Sequence, residues 1–101
     1  MHLMHNVFFT LKKNSQADIQ KLVDACRKYL TIQAGIKSFA CGTRDLTLTR
    51  DVNVVDWDVG LHILFESRAD HDAYQSDHFH EQFVAENKDN WSNVKVFDSL
   101  V

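Results

Sequence analysis

Two stretches of the chain alternate apolar residues with other residues, which predicts two strands that each bury one face. The first stretch runs from Leu3 to Leu11, and one of its faces carries Leu3, His5, Val7, Phe9 and Leu11. The second stretch runs from Trp57 to Glu66, and one of its faces carries Trp57, Val59, Leu61, Ile63 and Phe65. Both faces are apolar except at His5, which the alternation predicts to point inward.

Apolar residues at helical spacing follow two capping signatures. Ser15 with Asp18 three residues later predicts the start of a first helix, and Gly35 marks the exit from it. The apolar face of this helix carries Ile19, Leu22, Val23, Cys26 and Leu30. Ser67 with Asp70 repeats the signature and opens a short helix through Tyr74, and further helical turns are expected over roughly 77–87.

The remaining segments complete a mixed fold. A strand is expected from Ile36 to about Arg50, irregular near Cys41 and Gly42, and 50–56 is expected to be a hairpin loop. A last strand over 94–97 ends at Asp98. The order β-α-β-β-α-β predicts an α+β fold, a ferredoxin-like sandwich that forms one domain over residues 1–101.

The second face of the predicted sheet needs a partner. Helices cover only one face, so Phe8, Leu64 and one side of the second strand would lie on the other. A face of that kind is too apolar to remain open, and an isologous homodimer through it is the simplest solution.

Composition excludes several classes of function. The net charge is −3 and Lys and Arg do not cluster, so no nucleic-acid partner is expected. No apolar run approaches the ~20 residues that a membrane helix needs. The first residues lack the pattern of a secretion signal, so the two cysteines, Cys26 and Cys41, are expected to be reduced thiols in the cytoplasm. The three glycines form no phosphate loop, and no cofactor is expected.

Proton-handling side chains concentrate between Tyr74 and Phe83. His80 shares a helix face with Phe83 and Val84, so it is expected to point inward, whereas His78 is expected to face water. His5 belongs to the inward group, and Tyr74 precedes His80 by six residues. We therefore predict a pocket with polar points at His5, Tyr74 and His80 and apolar walls from Val7, Phe9, Leu61, Ile63, Phe83 and Trp91.

Each candidate has a structural alternative. His5 and His80 are either hydrogen-bonded core residues or proton-transfer groups, and His71 and His78 are expected to be solvated. Asp98 either fixes the tautomer of a histidine or simply ends the last strand. Asp77, His78 and His80 together offer ligands that zinc accepts, but helical geometry separates the two histidines, so no metal site is expected. Cys26 lies on the buried helix face, where a thiol is inert packing.

The same residues resemble a known family. The start from Met4 to Lys12, the run Asp58-Val59-Gly60 leading to Phe65-Glu66-Ser67, the set Tyr74, His80 and Phe83, and the ending Val96-Phe97-Asp98 are similar to the stress-responsive A/B barrel (Dabb) domain. The resemblance covers nearly the whole chain. It implies a ferredoxin-like fold whose sheets pair across a dimer to form an α/β barrel.

The resemblance also implies site residues. A more distant similarity is to the plant olivetolic acid cyclase, which closes a polyketide chain without cofactor or metal. That similarity implies acid–base roles for Tyr74 and His80, a pocket position for His5, and pocket walls at Phe83 and Trp91. The chain departs from it in two places: Asp77-His78-Phe79-His80 replaces the family's His-Pro-x-His, and Arg27 replaces a pocket tyrosine.

Two functions remain open at this point. The first is a small dimeric protein whose apolar pocket binds a small molecule. The second is a cofactor-independent enzyme, cyclase-like or otherwise, that transfers protons next to a carbonyl, with His80 as base, Tyr74 as hydrogen-bond donor and His5 as orienting group.

Overall fold

Four strands and three α-helices make up the chain, and the computed structural model describes all 101 residues. In chain order the elements are β1 (Leu3–Leu11), α1 (Gln16–Tyr29), β2 (Ile36–Thr43), β3 (Val59–Phe65), α2 (Arg68–Gln75), α3 (His78–Asn87) and β4 (Trp91–Leu100). A single 3₁₀ turn over Lys88–Asn90 joins α3 to β4. None of the helices combines the length and the apolar character that crossing a membrane requires.

The strands form one antiparallel sheet in the order β2-β3-β1-β4. This order, with the helices packed on one side, is the predicted ferredoxin-like α+β sandwich. β1 lies in the middle of the sheet, so its residues from Leu3 to Phe9 have a neighbour on both sides. His5, for example, lies opposite Ile63 of β3 and Asp98 of β4.

The core lies between the helices and one face of the sheet. β1 alternates strictly between buried and half-buried residues, and His5 is buried with the odd-numbered set, as its position in the alternation predicts. The core consists of fifteen buried apolar residues: Leu3, Val7, Phe9, Leu11, Leu22, Val23, Cys26, Tyr29, Leu30, Val59, Leu61, Ile63, Phe65, Tyr74 and Phe83.

The capping signatures form as expected. The Ser15 hydroxyl accepts from the Asp18 N–H at 3.2 Å, and the Asp18 carboxylate accepts from the Ser15 N–H at 3.3 Å, which completes a capping box at the start of α1. At α2 the Ser67 hydroxyl accepts from the Asp70 N–H at 3.2 Å. These bonds satisfy backbone donors that the first helical turn leaves unpaired.

Three expectations about strand limits were wrong. β2 ends at Thr43 rather than near Arg50, because Asp45 accepts from both the N–H and the hydroxyl of Thr47 and turns the chain away from the sheet. Trp57 precedes β3, and its ring packs at 4.9 Å against Phe8 on the face away from the helices. β4 is longer than predicted, because Trp91 already pairs with Leu11.

Gly35 is required by its backbone conformation. Its φ of +86° lies in the left-handed region, and an added Cβ would stand 2.3 Å from Cγ of Asp70, the residue that helps to cap α2. We expect Gly35→Ala to lower the free energy of unfolding by about 1–3 kcal/mol in urea denaturation. Gly42→Ala is the matched control, because a Cβ there meets nothing within 4 Å, and it should change stability by at most about 0.5 kcal/mol. Equal effects of the two substitutions would contradict this account.

Candidate functional site

A cleft of about 160 Å³ lies between the sheet and the second half of the helical layer. It opens along β4, where Val94 and Val96 are 38% and 50% exposed. The cleft is lined by residues from β1, β3, β4 and all three helices or their ends: His5, Val7, Phe9, Leu30, Leu61, Tyr74, Gln75, His80, Phe83, Val84, Trp91, Val94 and Val96.

The structure brings eight of the nine residues of the predicted pocket into the lining of this one cleft. The exception is Ile63, which is fully buried beneath it and does not reach its surface. Arg27, which stands where the cyclase has a pocket tyrosine, is exposed and donates from Nη2 to the Cys41 carbonyl at 3.3 Å, outside the cleft.

The break between α2 and α3 orients His80. Asp77 caps α3, and its Oδ2 accepts from the N–H groups of Phe79 at 2.9 Å and His80 at 3.4 Å. The helix that starts there turns His80 toward Tyr74, with ring centroids 4.8 Å apart in an edge-to-face arrangement. His78 is exposed. Helical spacing therefore predicts the opposite orientations of the two histidines correctly.

His5 is held by a carboxylate. Its Nδ1 lies 2.5 Å from Oδ1 of Asp98, the residue directly opposite it on β4. When Nδ1–H donates to this carboxylate, the lone pair of the ring is on Nε2. Burial lowers the pKa of His5, and the hydrogen bond and charge of Asp98 oppose that shift only in part.

The other two polar points are uncharged in the cleft. Burial is the main cause that lowers the pKa of His80, and electrostatic repulsion from His5 lowers it further. The negative charges of Asp77 and Glu81 raise the pKa and offset part of this shift. Burial raises the pKa of the Tyr74 hydroxyl, which makes no hydrogen bond within the protein. At neutral pH the cleft thus combines a neutral imidazole, which accepts a proton, with a protonated phenol, which donates a hydrogen bond.

The expectation that His71 is solvated was wrong. Its side chain is only 13% exposed, and its ring lies 4.9 Å from that of His5 and 5.5 Å from that of Phe65. The signal was present in the sequence, because His71 and Tyr74 are three residues apart on one helix and therefore share a face. Of the two alternatives for Asp98, the structure supports the first, because its carboxylate is hydrogen-bonded to the ring of His5.

The segment Asp77, His78 and His80 does not form a metal cluster, because Asp77 is engaged as a helix cap and His78 faces solvent. Ligand-type atoms converge elsewhere instead. One ligand atom each from His5, His71 and Asp98 lies within 4.8 Å of the others.

The two largest grooves on the surface lack the side chains that make the cleft a candidate site. One of about 420 Å³ is lined mainly by charged and amide side chains beside Lys13 and Asp89, and one of about 530 Å³ lies beside Gln16 and Arg44. Neither contains a histidine, a tyrosine or a cysteine. The smaller cleft is therefore the better candidate, because apolar walls with a few convergent polar groups are typical of small-molecule sites.

One buried histidine, His5, and two half-buried ones, His62 and His80, predict how stability depends on pH. Burial lowers the pKa of His5, His62 and His80 below the ordinary value of 6.5, so in mildly acidic solution the unfolded chain binds more protons than the folded one. We expect the free energy of unfolding to fall as pH drops from about 7 through 6.5 to the lower folded values. Urea denaturation at a series of pH values tests this, and His80→Gln should flatten the curve. Stability that rises toward pH 5 would contradict it.

Comparison with solved structures identifies the fold independently. The chain is similar to a dimeric ferredoxin-like protein of unknown function from Thermobifida fusca, with 18% identity, a TM-score of 0.83, and coverage of 100% of this chain and 92% of the other. A Dabb family protein from Mesorhizobium loti shares 20% identity at a TM-score of 0.83, covering 99% and 96% of the two chains. A hydroxynitrile lyase from Passiflora edulis shares 18% identity at a TM-score of 0.80, covering 99% and 93%.

At these identities the structural likeness shows the fold alone, and no curated protein matches the sequence. The family follows from the sequence itself, because the model of the stress responsive A/B barrel domain matches residues 3–101. The match includes every strand and helix and all the residues of the cleft. The chain therefore belongs to the stress responsive A/B barrel (Dabb) domain family.

Proposed function

We propose that the protein is a homodimer in which the cleft of each subunit binds a small, largely apolar molecule that carries a hydrogen-bond acceptor such as a carbonyl. The observation that carries this proposal is the Tyr74 hydroxyl, which lines an apolar cleft and has no hydrogen-bond partner within the protein. This hydroxyl is not one of the polar atoms that are buried without a partner, so it reaches solvent in the cleft, and a ligand acceptor would take the place of water there.

The volume limits the size of the ligand. A cleft of about 160 Å³ is smaller than the usual drug-sized site and comparable to an apolar cavity of about 150 Å³ that binds benzene. One aromatic ring with a short substituent therefore fits. A longer molecule would extend past Val94 and Val96 into solvent, or against a partner subunit.

The proposed dimer uses the sheet face opposite the helices. Phe8 is the centre of an aromatic cluster there, with Trp57 at 4.9 Å, His62 at 5.7 Å and Phe97 at 6.0 Å between ring centroids. Phe97 is 56% exposed in the single subunit. The T. fusca relative is dimeric, which supports the same assembly for this chain.

Saturation-transfer NMR with acetophenone tests ligand binding. About nine heavy atoms at ordinary ligand efficiency give a dissociation constant on the order of 0.1–1 mM. Ethylbenzene keeps the ring and the two-carbon substituent but lacks the carbonyl oxygen, so it is the control and should bind several-fold more weakly. Equal binding of the two molecules would contradict a role for the Tyr74 donor.

The geometry of Tyr74 and His80 favours a second candidate function, an acid–base enzyme that acts next to a carbonyl. In this candidate His80 removes a proton from the substrate, the electron pair moves to the carbonyl oxygen, and the Tyr74 hydroxyl donates a hydrogen bond to the oxyanion. His5, oriented by Asp98, positions the substrate beside them. The lowered pKa of His80, caused mainly by burial, supports its use as a neutral base.

The Passiflora edulis relative suggests one substrate class for the enzyme candidate, because it is a hydroxynitrile lyase. We expect the protein, if it shares this chemistry, to accelerate the cleavage of mandelonitrile at mildly acidic pH, followed by ultraviolet absorption of benzaldehyde. In this reaction His80 would remove the hydroxyl proton, the electron pair would form the carbonyl of benzaldehyde, and the C–C bond to cyanide would break so that cyanide leaves and takes up a proton. His80→Gln should reduce the rate by about 10²–10⁴-fold. His78→Gln, which changes an exposed histidine on the same helix, should leave it unchanged. A wild-type rate equal to that of buffer rejects this reaction.

A further inference from the structure

The geometry points to a binding site for a divalent transition-metal ion of the zinc class, formed by His5, His71 and Asp98. The site does not depend on the function proposed for the cleft. It also differs from the expectation that the chain has no metal site, because that expectation rested on Asp77, His78 and His80 alone.

Three different elements bring the ligands together. His5 comes from β1, His71 from α2, and Asp98 from the end of β4, and one ligand atom of each lies within 4.8 Å of the other two. No spacing along the chain reveals this set, because its members are separated by 66 and 27 positions (71 − 5 and 98 − 71). Antiparallel pairing of β1 with β4 and the packing of α2 on the sheet create it.

The ligand types select the metal. Two imidazole nitrogens and one carboxylate oxygen are a common set for zinc with an open fourth position. Magnesium and calcium prefer sets made of oxygen atoms, so two histidines disfavour them. The three side chains leave room in the coordination sphere for water.

One pair of ligand atoms lies closer than a bound metal would hold it. Nδ1 of His5 and Oδ1 of Asp98 are 2.5 Å apart. A tetrahedral zinc ion with bonds of about 2.1 Å would separate two such ligand atoms by roughly 3.4 Å. The side chain of Asp98 is 39% exposed on an edge strand, so it can make this movement without disturbing the core.

His71 is already oriented by a second carboxylate. Its Nδ1 lies 3.0 Å from Oδ1 of Asp72, and the same oxygen accepts from Nε of Arg68 at 2.9 Å. A carboxylate on Nδ1 fixes the tautomer whose lone pair is on Nε2. Nε2 of His71 accepts from the Gln75 side-chain amide at 3.3 Å, so a metal bound at this nitrogen would replace that exposed hydrogen bond. The charge of Arg68 opposes a cation nearby, but this side chain is 73% exposed and largely screened by solvent.

Metal titration of the protein without a polyhistidine tag tests the site. Zn²⁺ is followed by isothermal titration calorimetry and Co²⁺ by visible absorption. We expect one ion per chain, Co²⁺ bands typical of four or five ligands, and a higher melting temperature in the presence of Zn²⁺. Absence of saturable binding of either ion would overturn the proposal.

Variants locate the ion. His71→Gln and Asp98→Asn should each weaken Zn²⁺ binding by at least about tenfold, since even outer-shell changes at metal sites cost 10–100-fold. His78→Gln and His2→Gln change histidines outside the cluster and should have no effect. Asp98→Asn alone decides the result if His71→Gln does not fold, as judged by circular dichroism. Unchanged affinity in Asp98→Asn, or lost binding in either control, contradicts the site.

Discussion

Phe97→Glu is expected to convert the protein from a dimer to a monomer. Phe97 lies on the face of the sheet away from the helices, is 56% exposed in one subunit, and contacts the Phe8 ring at 6.0 Å. In the proposed homodimer each interface would gain two buried charges and lose two aromatic contacts. At about 2 kcal/mol for each copy, the dissociation constant rises by roughly a thousandfold.

Light scattering coupled to size exclusion measures this change directly. The wild type should have twice the 11.7 kDa mass of one chain at micromolar concentration, and the variant should have the single-chain mass. Phe79→Glu is the matched control, because Phe79 is a 43% exposed aromatic residue on α3 and lies outside this face. A monomeric wild type, or a variant that stays dimeric, would show that the sheet face is not the interface.

Tyr74 should respond very differently to two substitutions. The side chain is 2% exposed, and its ring packs against Phe65 at 4.9 Å and His80 at 4.8 Å. Tyr74→Ala removes this ring and should cost about 3–5 kcal/mol, a large part of the stability of a small domain. Tyr74→Phe keeps the ring and removes only a hydroxyl without an internal partner, so it should change stability by less than about 1 kcal/mol.

Tyr74→Phe also distinguishes an effect on ligand binding from an effect on stability. Tyr74→Phe should weaken acetophenone binding by about tenfold, because one hydrogen bond of about 1.4 kcal/mol is lost. Ethylbenzene, which cannot accept that bond, should bind the variant and the wild type equally. If Tyr74→Phe destabilises the protein as much as Tyr74→Ala, the hydroxyl is structural and the account is contradicted. If Tyr74→Phe leaves acetophenone binding unchanged, the hydroxyl has no role in ligand binding.

The spacing of apolar residues along the chain is sufficient to predict most of the fold. Alternation predicts which side chains are buried in β1, and in β3 apart from Gly60, since each strand of a half-buried sheet has one apolar face. Side-chain caps at Ser15 and Ser67 predict where α1 and α2 begin, and helical spacing separates His80 from His78. These features are local, so they can be read from neighbouring residues.

The features that the sequence pattern did not predict depend on contacts between residues far apart in the chain. Trp57 continues the alternation of β3, yet it precedes the strand and packs on Phe8 across the sheet. The alternating Thr and Leu residues at 46–49 resemble a strand, but they have no neighbouring strand to pair with. His71 and Asp98 meet at His5 only through the register of β4 and the docking of α2, which no short window of sequence contains.

Methyl NMR of the protein labelled at Ile, Leu and Val tests the central claim most directly, namely that the cleft is a small-molecule site. On titration with acetophenone, the methyl groups of Leu61, Val84 and Val96 should shift saturably with one dissociation constant, and Tyr74→Phe should weaken all three responses together. Methyls remote from the cleft, at Leu46 and Val52, should not move. Shifts confined to the remote methyls, or no saturable shift in the cleft, would contradict the account.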